Sequence, residues 1–457
     1  MSAKFPEYKG LDLPNIAEEI LKYWEENNIF EKSVTIREGK DPYVFFEGPP
    51  SANGLPGVHH VLARAIKDIF PRYKTMKGYQ VKRKAGWDTH GLPIELGVEK
   101  ELGITKEDIG KKISVEDYNA ACRKAVMRYT HIWNNLTQKM GYWVDMDDPY
   151  ITYEPKYMES VWWLLKEIYN KKLIYKGYTI QPYSPKAGTG LSSHELNQPG
   201  TYQDVTDTTI VAQFKALENT LPAFLQNQGM VYFLAWTTTP WTLPSNTALT
   251  VGPKIEYVLV DTYNQYTFEA TKVILAKNLV GKQFGGKNNF QVEEAEELSA
   301  YNSGDKKIPF YVIKEFIGKD LVGVKYEQIL DYVLPNDNPQ DAFRVISGDF
   351  VTTEDGTGIV HTAPTFGADD ALVAKQAVPE IPPMLVKDEN GNLVPLVDLQ
   401  GKFRPEVTDF SGKYVKNEYY PEGQAPEKSV DVELAIKLKT ENKAFKVEKY
   451  VHSYPNC

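Results

Sequence analysis

Cysteine is scarce in this sequence, and long apolar segments are missing from it. The 457 residues include two cysteines, Cys122 and Cys457, too few for the disulfide framework of a small secreted domain. Apolar runs fall well short of the roughly 20 residues that span a bilayer. The N-terminal MSAKFPEYKG lacks the apolar segment of a signal peptide. We therefore expect a cytoplasmic protein with no membrane partner.

Basic residues are not in excess either. The chain has 52 lysines and arginines against 61 aspartates and glutamates, a formal net charge of −9 at pH 7. This balance argues against indiscriminate binding to nucleic acid. Hydrophobic residues make up 42% and charged residues 25%, as in ordinary globular proteins. Because the chain is too long for a single core, it predicts two or three domains.

The stretch from residue 43 to 60, YVFFEGPPSANGLPGVHH, predicts a strand, a turn and the start of a helix. Residues 43–47 are aromatic or β-branched, which is typical of a buried strand. Glycine and proline follow, and from Val58 apolar residues recur on one helical face. His59 and His60 would then lie where free backbone N–H groups attract phosphate. The pattern indicates a nucleotide site, although neither a dinucleotide nor a Walker spacing occurs.

A second strand is predicted to begin the run YQVKRKAGWDTHGLPIE, Tyr79 to Glu95. Two strands joined by a helix form a parallel βαβ crossover, and ligands collect at the carboxyl ends of such strands. We therefore expect Asp88 and His90 to face the crevice of His59 and His60. From the residues alone, a structural role explains His59 and His60 as well as a binding site does.

The rest of the chain changes from helical to β-type patterns near Thr179. Helices are predicted at residues 12–32, 114–140 and 154–176, and bulky apolar residues in the last one indicate a core helix. Later runs separated by turn residues predict a β-rich, barrel-like domain. These strand predictions are Thr209 to Phe214, Met230 to Trp236, Tyr257 to Val260, Tyr266 to Ala270 and Pro309 to Ile317.

Two dense segments interrupt the β-type pattern. They read AWTTTPWTLPSNTAL (Ala235 to Leu249) and EDGTGIVHTAPTFGADD (Glu354 to Asp370). On composition alone, the threonines fit a strand with locally bonded hydroxyls. His361 and Asp370, again on composition alone, fit a loop and a helix cap.

Taken together, several motifs resemble the class I aminoacyl-tRNA synthetases, and among them the isoleucyl-tRNA synthetase family. The resemblance runs from about residue 10 to the end, and the valyl and leucyl families look different at residues 89–95 and 237–242. It implies an α/β fold. A Rossmann-type parallel-sheet catalytic half-domain would span residues 1–185. An inserted β-rich, barrel-like editing domain would span residues 186–440, and residues 441–457 would start the return to the catalytic domain. The motifs are EGPPSANGLP, KDIFPRYKTMKGYQVKRKAGWDTHGLPIE, LSSHE, AWTTTPWTLPSN, DGTGIVHTAPTFGADD and YVHSYPNC.

The resemblance implies a ligase that activates isoleucine with ATP and Mg²⁺ and charges tRNA(Ile). The inserted domain would hydrolyse mischarged valyl-tRNA(Ile), and the enzyme would be a monomer. Editing is needed because one methylene in a hydrophobic pocket contributes only about 1–3 kcal/mol, as is established for isoleucine against valine in this family.

In the catalytic half, the family's His-x-Gly-His signature falls on Gly57-Val58-His59-His60. Glycine thus stands at the first histidine position. His60 would contact the ATP phosphates and stabilise the charge that develops there. Whether His59 replaces the missing imidazole stays open. Positions matched to amino-acid binding are Gly48 and Pro49, which line the pocket, and Asp88, which pairs with the α-ammonium group.

In the editing domain, the resemblance assigns a threonine rim to the terminal adenosine and a bound water. Asp370 would hold the α-ammonium group of the mischarged residue, with Asp369 as the alternative, and His361 would lie beside the scissile ester. Because no Ser/His/Asp triad is recognisable, a positioned water is favoured over a covalent intermediate. The threonines of the rim are Thr237, Thr238, Thr239 and Thr242.

Two family features are missing from the sequence. Where relatives carry Cys-x-x-Cys, this chain has Ser184-Pro185-Lys186-Ala187, and Cys457 stands alone, so we predict no zinc. No Lys-Met-Ser-Lys-Ser loop occurs, and we expect a fragment of a longer synthetase that does not charge tRNA by itself. The alternatives are a valyl- or leucyl-type synthetase and a non-catalytic tRNA-binding module.

Overall fold

The computed structural model describes residues 10–177 and 179–455. The chain divides into two compact units, Met1–Gly177 (the first unit) and Tyr178–Cys457 (the second unit). Cys457 lies outside the described residues. Both units combine helices with strands, so the predicted α/β class is confirmed. Among the described helices, none has the length and apolarity needed to cross a membrane.

Helices dominate the first unit. Two predicted helices are each split in two, the first at Asn28, whose φ of 47° lies in the left-handed region that a right-handed helix cannot continue through. The helices are α1 Leu13–Glu26, α2 Ile29–Thr35, α3 Val58–Met76, α4 Leu92–Leu102, α5 Val115–Val126, α6 Thr130–Lys139 and α7 Pro155–Asn170, and the strands are β1 Lys84–Trp87 and β2 Asp145–Ile151.

The predicted buried strand at residues 43–47 is wrong. This segment makes a single parallel bridge, Pro42 to Gln80, and Phe46 is 92% exposed. A strand needs a continuous ladder to a neighbour, and within the described residues this segment lacks one. The parallel pair of this unit is instead β1 with β2, in the register Trp87 to Ile151. The second predicted strand is therefore present as β1, within residues 79–95, but its parallel partner is β2 and not residues 43–47.

The prediction that the helix at 154–176 belongs to the core is also wrong. No residue of α7 is buried, and Trp162 and Trp163 are 65% and 61% exposed. The helical periodicity is present, but no element of the described first unit covers the apolar face. The small buried cluster of this unit consists of Ala52, Trp87 and Trp133.

The second unit is built on a ten-stranded mixed sheet. Its main path runs β10-β11-β8-β9-β6-β13-β7-β12, while β5 pairs with both β6 and β16. The strands of the unit are β3 Tyr183–Ser184, β4 Thr189–Gly190, β5 Tyr202–Lys215, β6 Val231–Thr237, β7 Ala248–Val251, β8 Glu256–Tyr263, β9 Ala270–Ala276, β10 Asn289–Gln291, β11 Ile308–Ile317, β12 Arg344–Ser347, β13 Ile359–Thr362, β14 Leu385–Lys387, β15 Leu393–Pro395 and β16 Ala444–Pro455. The helices are α8 Ser193–Leu196, α9 Val280–Gln283, α10 Ala368–Gln376 and α11 Val430–Thr440.

Four of the five predicted strands coincide with β5, β6, β8 and β11. The fifth, Tyr266 to Ala270, is wrong because a turn occupies most of it. The Asn264 side chain accepts hydrogen bonds from the backbone N–H groups of Tyr266 (2.8 Å) and Thr267 (3.2 Å). Such an Asx turn competes with strand formation. The strand β9 therefore begins only at Ala270.

The predicted barrel is not closed by strands, since the path of the sheet is open at β10 and β12. The irregular segment 323–327 links the β12 edge of the sheet to the end of β5. The backbone N–H of Tyr326 donates to the Phe343 carbonyl (3.0 Å). The backbone N–H of Glu327 donates to the Lys215 carbonyl at the end of β5 (2.8 Å). The predicted domain boundaries at 185/186 and 440/441 stay predictions.

Candidate functional sites

The threonine run of the second unit lies where β6 ends. Pro240–Ser245 forms a short 3₁₀ turn after it, and the threonine hydroxyls hold this turn in place. Thr239 N donates to Thr237 Oγ1 (3.0 Å), and Thr242 Oγ1 donates to the Thr239 carbonyl (2.8 Å). Thr237 and Thr242 are buried, while Thr238 and Thr239 are half-exposed. Two hydroxyls of the predicted rim are thus structural and two are accessible.

Strand β13 brings His361 to this turn. Nε2 of His361 lies 3.0 Å from Thr242 Oγ1, and Nδ1 lies 2.8 Å from Asn246 Nδ2. The Tyr326 hydroxyl donates to Asn246 Oδ1 (2.7 Å), which leaves Asn246 Nδ2 as the donor to the imidazole. Nδ1 is therefore an acceptor, and Nε2 carries the proton and donates it to Thr242.

The environment of His361 keeps it neutral. The side chain is 7% exposed, and this burial lowers its pKa to about 4. Both ring nitrogens have partners within the protein, so proton transfer would break the bond to Asn246 or the bond to Thr242. The geometry favours a positioning role for His361, in which the ring fixes the Thr242 hydroxyl.

Asp370 lies in the first turn of α10 and reaches back to the end of β13. Its Oδ2 accepts a hydrogen bond from Ala363 N (2.8 Å). Burial raises the pKa of Asp370, the bond from Ala363 opposes that shift, and the charge of Asp369 adds to it. Asp369 itself is exposed. Among the described residues, Asp370 Oδ1 accepts no hydrogen bond, so this oxygen can take a donor from a ligand.

The two dense sequence segments therefore meet in one region. Thr242 contacts His361, and the Trp241 ring packs edge-on against Phe366, with centroids 4.9 Å apart. Asn246 and Tyr326 were not predicted from the sequence. Asn246 lies in the motif AWTTTPWTLPSN and could have been found there, whereas nothing in its sequence surroundings distinguishes Tyr326.

In the first unit, His60 lies in the first turn of α3. Its Nδ1 accepts a hydrogen bond from Gly57 N (2.9 Å), and its ring packs against Trp133 with centroids 4.8 Å apart. Burial lowers the pKa of His60, and the neighbouring His59 and Arg64 lower it further. The ring is thus a neutral imidazole whose Nε2–H can donate to a ligand.

His59 lies next to the position where Gly57 lacks a side chain. Its ring centroid is 3.8 Å from that of His60. A Cβ built on Gly57 would lie 2.8 Å from His59 Cε1 and 2.9 Å from His59 Nδ1. The exposed imidazole of His59 therefore occupies the volume in which a side chain at position 57 would begin.

Asp88 follows β1 and joins the loop of Gly48 and Pro49. Its backbone N–H donates to the Pro50 carbonyl (3.0 Å), and its carboxylate is exposed. Nδ1 of His90 lies 2.9 Å from Thr152 Oγ1. A cavity of about 50 Å³ lies beside Pro49, lined also by Arg64, Tyr142 and Tyr150.

Within residues 10–177 and 179–455, no group of three or more histidine, cysteine, aspartate or glutamate side chains could hold a metal ion. In the segment where the sequence lacks Cys-x-x-Cys, Ser184 Oγ accepts a hydrogen bond from Ala187 N (3.2 Å). The absence of zinc stays a prediction.

Comparison with known proteins gives one family match and close relatives. The family described as tRNA synthetases class I (I, L, M and V) matches residues 19–387. The isoleucine–tRNA ligase of Cytophaga hutchinsonii is 61% identical over 461 residues, which cover 98% of this chain and 40% of that protein. The isoleucine–tRNA ligase of Bacteroides fragilis is 60% identical over 474 residues, covering 100% of this chain and 40% of that protein.

The chain thus spans about 40% of the length of these curated relatives. Among solved structures, the ternary complex of Agrobacterium radiobacter K84 agnB2 LeuRS with tRNA and LeuAMS matches with a TM-score of 0.30 and 16% identity. That match covers 96% of this chain and 48% of the other.

Proposed function

Because the chain belongs to the class I tRNA synthetases of the I, L, M and V group, we propose that it is part of an isoleucine–tRNA ligase. Its first 185 residues would form the Rossmann-type half-domain for isoleucine, ATP and tRNA(Ile), and residues 441–457 would return to that domain. Residues 186–440 would form a barrel-like domain that hydrolyses valyl-tRNA(Ile). The observation that carries this proposal is the contact between Thr242 and His361 (3.0 Å), which joins two motifs more than 100 residues apart.

For hydrolysis, the substrate's α-ammonium group is proposed to bind the free oxygen of Asp370. The half-exposed hydroxyls of Thr238 and Thr239 would hold the terminal adenosine and a water close to the ester. Buried Thr237 and Thr242 would keep this rim in place, with His361 behind them. Rate enhancement would come from holding the water and the ester in reactive geometry rather than from a covalent intermediate.

For amino-acid activation, the Nε2–H of His60 is proposed to donate to an ATP phosphate. His59 would supply the second imidazole, which its position over Gly57 supports. ATP brings its own Mg²⁺, held by phosphate oxygens and water as is usual for this ion. Asp88 would bind the α-ammonium group of isoleucine beside the pocket of Gly48 and Pro49.

Deacylation of valyl-tRNA(Ile) by the 457-residue chain tests the editing proposal. Asp370→Ala removes a charge-assisted hydrogen bond and is expected to lower kcat/KM by roughly 10–100-fold. Asp369→Ala is the matched control, since the neighbouring carboxylate is exposed, and its rate is expected to stay near that of the wild type. Loss of activity in Asp369→Ala but not in Asp370→Ala would assign the role to Asp369 instead. Equal rates in all three proteins would favour a tRNA-binding module.

The amino-acid specificity needs a separate measurement. Hydrolysis of valyl-tRNA(Ile) in preference to isoleucyl-tRNA(Ile) is expected, because the longer side chain must be excluded from the hydrolytic pocket. Preference for a threonyl ester on tRNA(Val), or for non-leucine esters on tRNA(Leu), would instead indicate a valyl- or leucyl-type enzyme. We also propose that the protein acts in the cytoplasm as a monomer, and sedimentation of the chain tests the oligomeric state.

A further inference from the structure

A buried cluster of charged side chains lies in the second unit. Lys416 Nζ is 3.0 Å from Asp207 Oδ2 and 3.2 Å from Asp431 Oδ2. His452 Nε2 lies 3.0 Å from the same oxygen of Asp207. Lys416 is 8% exposed and Asp431 is 2% exposed. The four residues come from β5, the loop before α11, α11 and β16, so the cluster exists only in the folded unit.

The cluster is connected to the candidate editing site through Asp431. While Asp431 Oδ2 faces Lys416, its Oδ1 accepts a hydrogen bond from Trp241 N (3.0 Å). Trp241 directly precedes Thr242 in the Pro240–Ser245 turn. Its ring also packs against Phe366, which lies on the loop between β13 and α10. One carboxylate thus holds the backbone of the threonine turn beside the loop that leads to Asp370.

The charge on Asp431 is costly for folding. Burial raises its pKa to about 6, although Lys416 opposes this shift. For Lys416, burial lowers the pKa, but the attraction of Asp431 and Asp207 outweighs burial and raises it. A carboxyl group whose pKa is raised by folding destabilises the folded state at neutral pH. This deficit shrinks as the pH falls below the folded pKa and is gone below the unfolded pKa. Buried ion pairs of this kind contribute little to stability. The structural consequence of the pair is therefore that it holds Trp241 in position.

We propose that Asp431, held by Lys416, is a positioning residue for the hydrolytic site: it fixes Trp241 and thereby the hydroxyl of Thr242. This inference rests on the proposed editing function, which it extends to a residue more than 180 positions away from the turn. Neither Asp431 nor Lys416 contacts the accessible hydroxyls of Thr238 and Thr239, so their effect must pass through the turn.

Asp431→Asn in the full chain tests the proposal. In Asp431 the Trp241 N–H and the Lys416 ammonium bind different oxygens. An amide replaces one of these oxygens with an NH₂ donor, so one of the two donors loses its acceptor. With valyl-tRNA(Ile) as substrate, kcat is expected to fall about 10-fold or more with little change in KM, since small displacements of reacting groups cost this much. Lys416→Met should act in the same direction, and Lys416→Arg, which keeps the cation, should restore most of kcat.

Glu433→Gln is the matched control on the same helix. Its carboxylate forms an ion pair with Lys413 (2.6 Å) but makes no hydrogen bond to the Pro240–Ser245 turn. This variant is expected to keep the wild-type kcat. If it lowers kcat as much as Asp431→Asn does, the effect belongs to helix α11 in general and the proposal is overturned.

Hydrogen exchange of the peptide that contains Trp241 gives a second readout, independent of activity. Asp431→Asn should accelerate exchange at this turn about 10-fold, the loss of one buried hydrogen bond. Unchanged exchange together with unchanged kcat overturns the proposal.

If the wild type fails to deacylate valyl-tRNA(Ile), the proposed function fails, and exchange alone decides whether Asp431 positions the turn. If Asp431→Asn does not fold, exchange in Lys416→Met decides it.

Discussion

The two units of this protein treat their apolar residues differently. In the second unit, large side chains such as Phe214, Phe233 and Ile274 are 0% exposed. In the first unit, Phe46 is 92% and Trp162 is 65% exposed, although both lie in segments with regular apolar patterns. Patterning specifies which face of an element is apolar, but burial requires a second element to pack against that face.

The candidate sites of the two units also differ in how far their side chains are enclosed by the protein. In the second unit, His361 is enclosed by Asn246 and Thr242, and Asp370 is tied to the backbone after β13. In the first unit, His59 and Asp88 are exposed at the edge of a small core. A site whose side chains are fixed by packing and hydrogen bonds is preorganised for its reaction. The candidate site of the second unit meets that condition within its own unit.

The largest effect is expected from truncating a large aromatic side chain in the second unit, with an exposed one in the first unit as the comparison. Phe233→Ala should lower the free energy of unfolding of the second unit by about 3–5 kcal/mol, the cost of a large cavity. Trp162→Ala in α7 should change stability by no more than about 0.5 kcal/mol, as for exposed positions. Urea unfolding followed by circular dichroism measures both. A large loss in Trp162→Ala would break the comparison, because it would mean that α7 is covered in solution.

A second effect concerns pH. Because folding lowers the pKa of His361 to about 4, the unfolded chain binds the proton more tightly, and stability falls as pH drops below about 6.5. Relative to His361→Gln, the wild type should lose about 3 kcal/mol of unfolding free energy between neutral pH and pH 4. Asp431 contributes equally to the pH dependence of both proteins. Subtracting the unfolding free energy of one protein from that of the other therefore removes its contribution.

His60→Gln in the first unit is the comparison for that measurement. Its pKa is also lowered by burial, so the difference should have the same sign. Because His60 is half-exposed, the effect should be smaller than at His361. An equal pH dependence at the two positions would show that the histidine of the first unit is as enclosed as that of the second.

The smallest expected effect is that of single hydroxyls. Thr242→Val leaves the Nε2–H of His361 buried without an acceptor and should cost about 1–3 kcal/mol. Thr238→Val, at a half-exposed position of the same rim, should change stability by no more than about 0.5 kcal/mol. Thermal unfolding of both variants measures the difference. Equal losses would contradict the division of the rim into structural and accessible hydroxyls.

Much of the secondary structure of the second unit could be predicted from the sequence. Alternating and β-branched runs located β5, β6, β8 and β11, because local pattern and tertiary environment agree there. The same reasoning failed at residues 43–47 and at α7. Both segments have the expected apolar pattern, but no second element of the described first unit covers them. It also failed at Tyr266, where the side chain of Asn264 closes a turn that periodicity does not detect.

The sequence by itself determined the family, through motifs that occur together in a particular order, and it located the threonine run, His361 and Asp370. Only the tertiary structure decided which of these side chains are satisfied within the protein and which can meet a ligand. It also brought Tyr326 to Asn246 and Asp431 to Trp241. Hydrogen bonds depend on distances and angles between atoms, and residues 80 to 190 positions apart acquire those only when the sheet and its helices pack together.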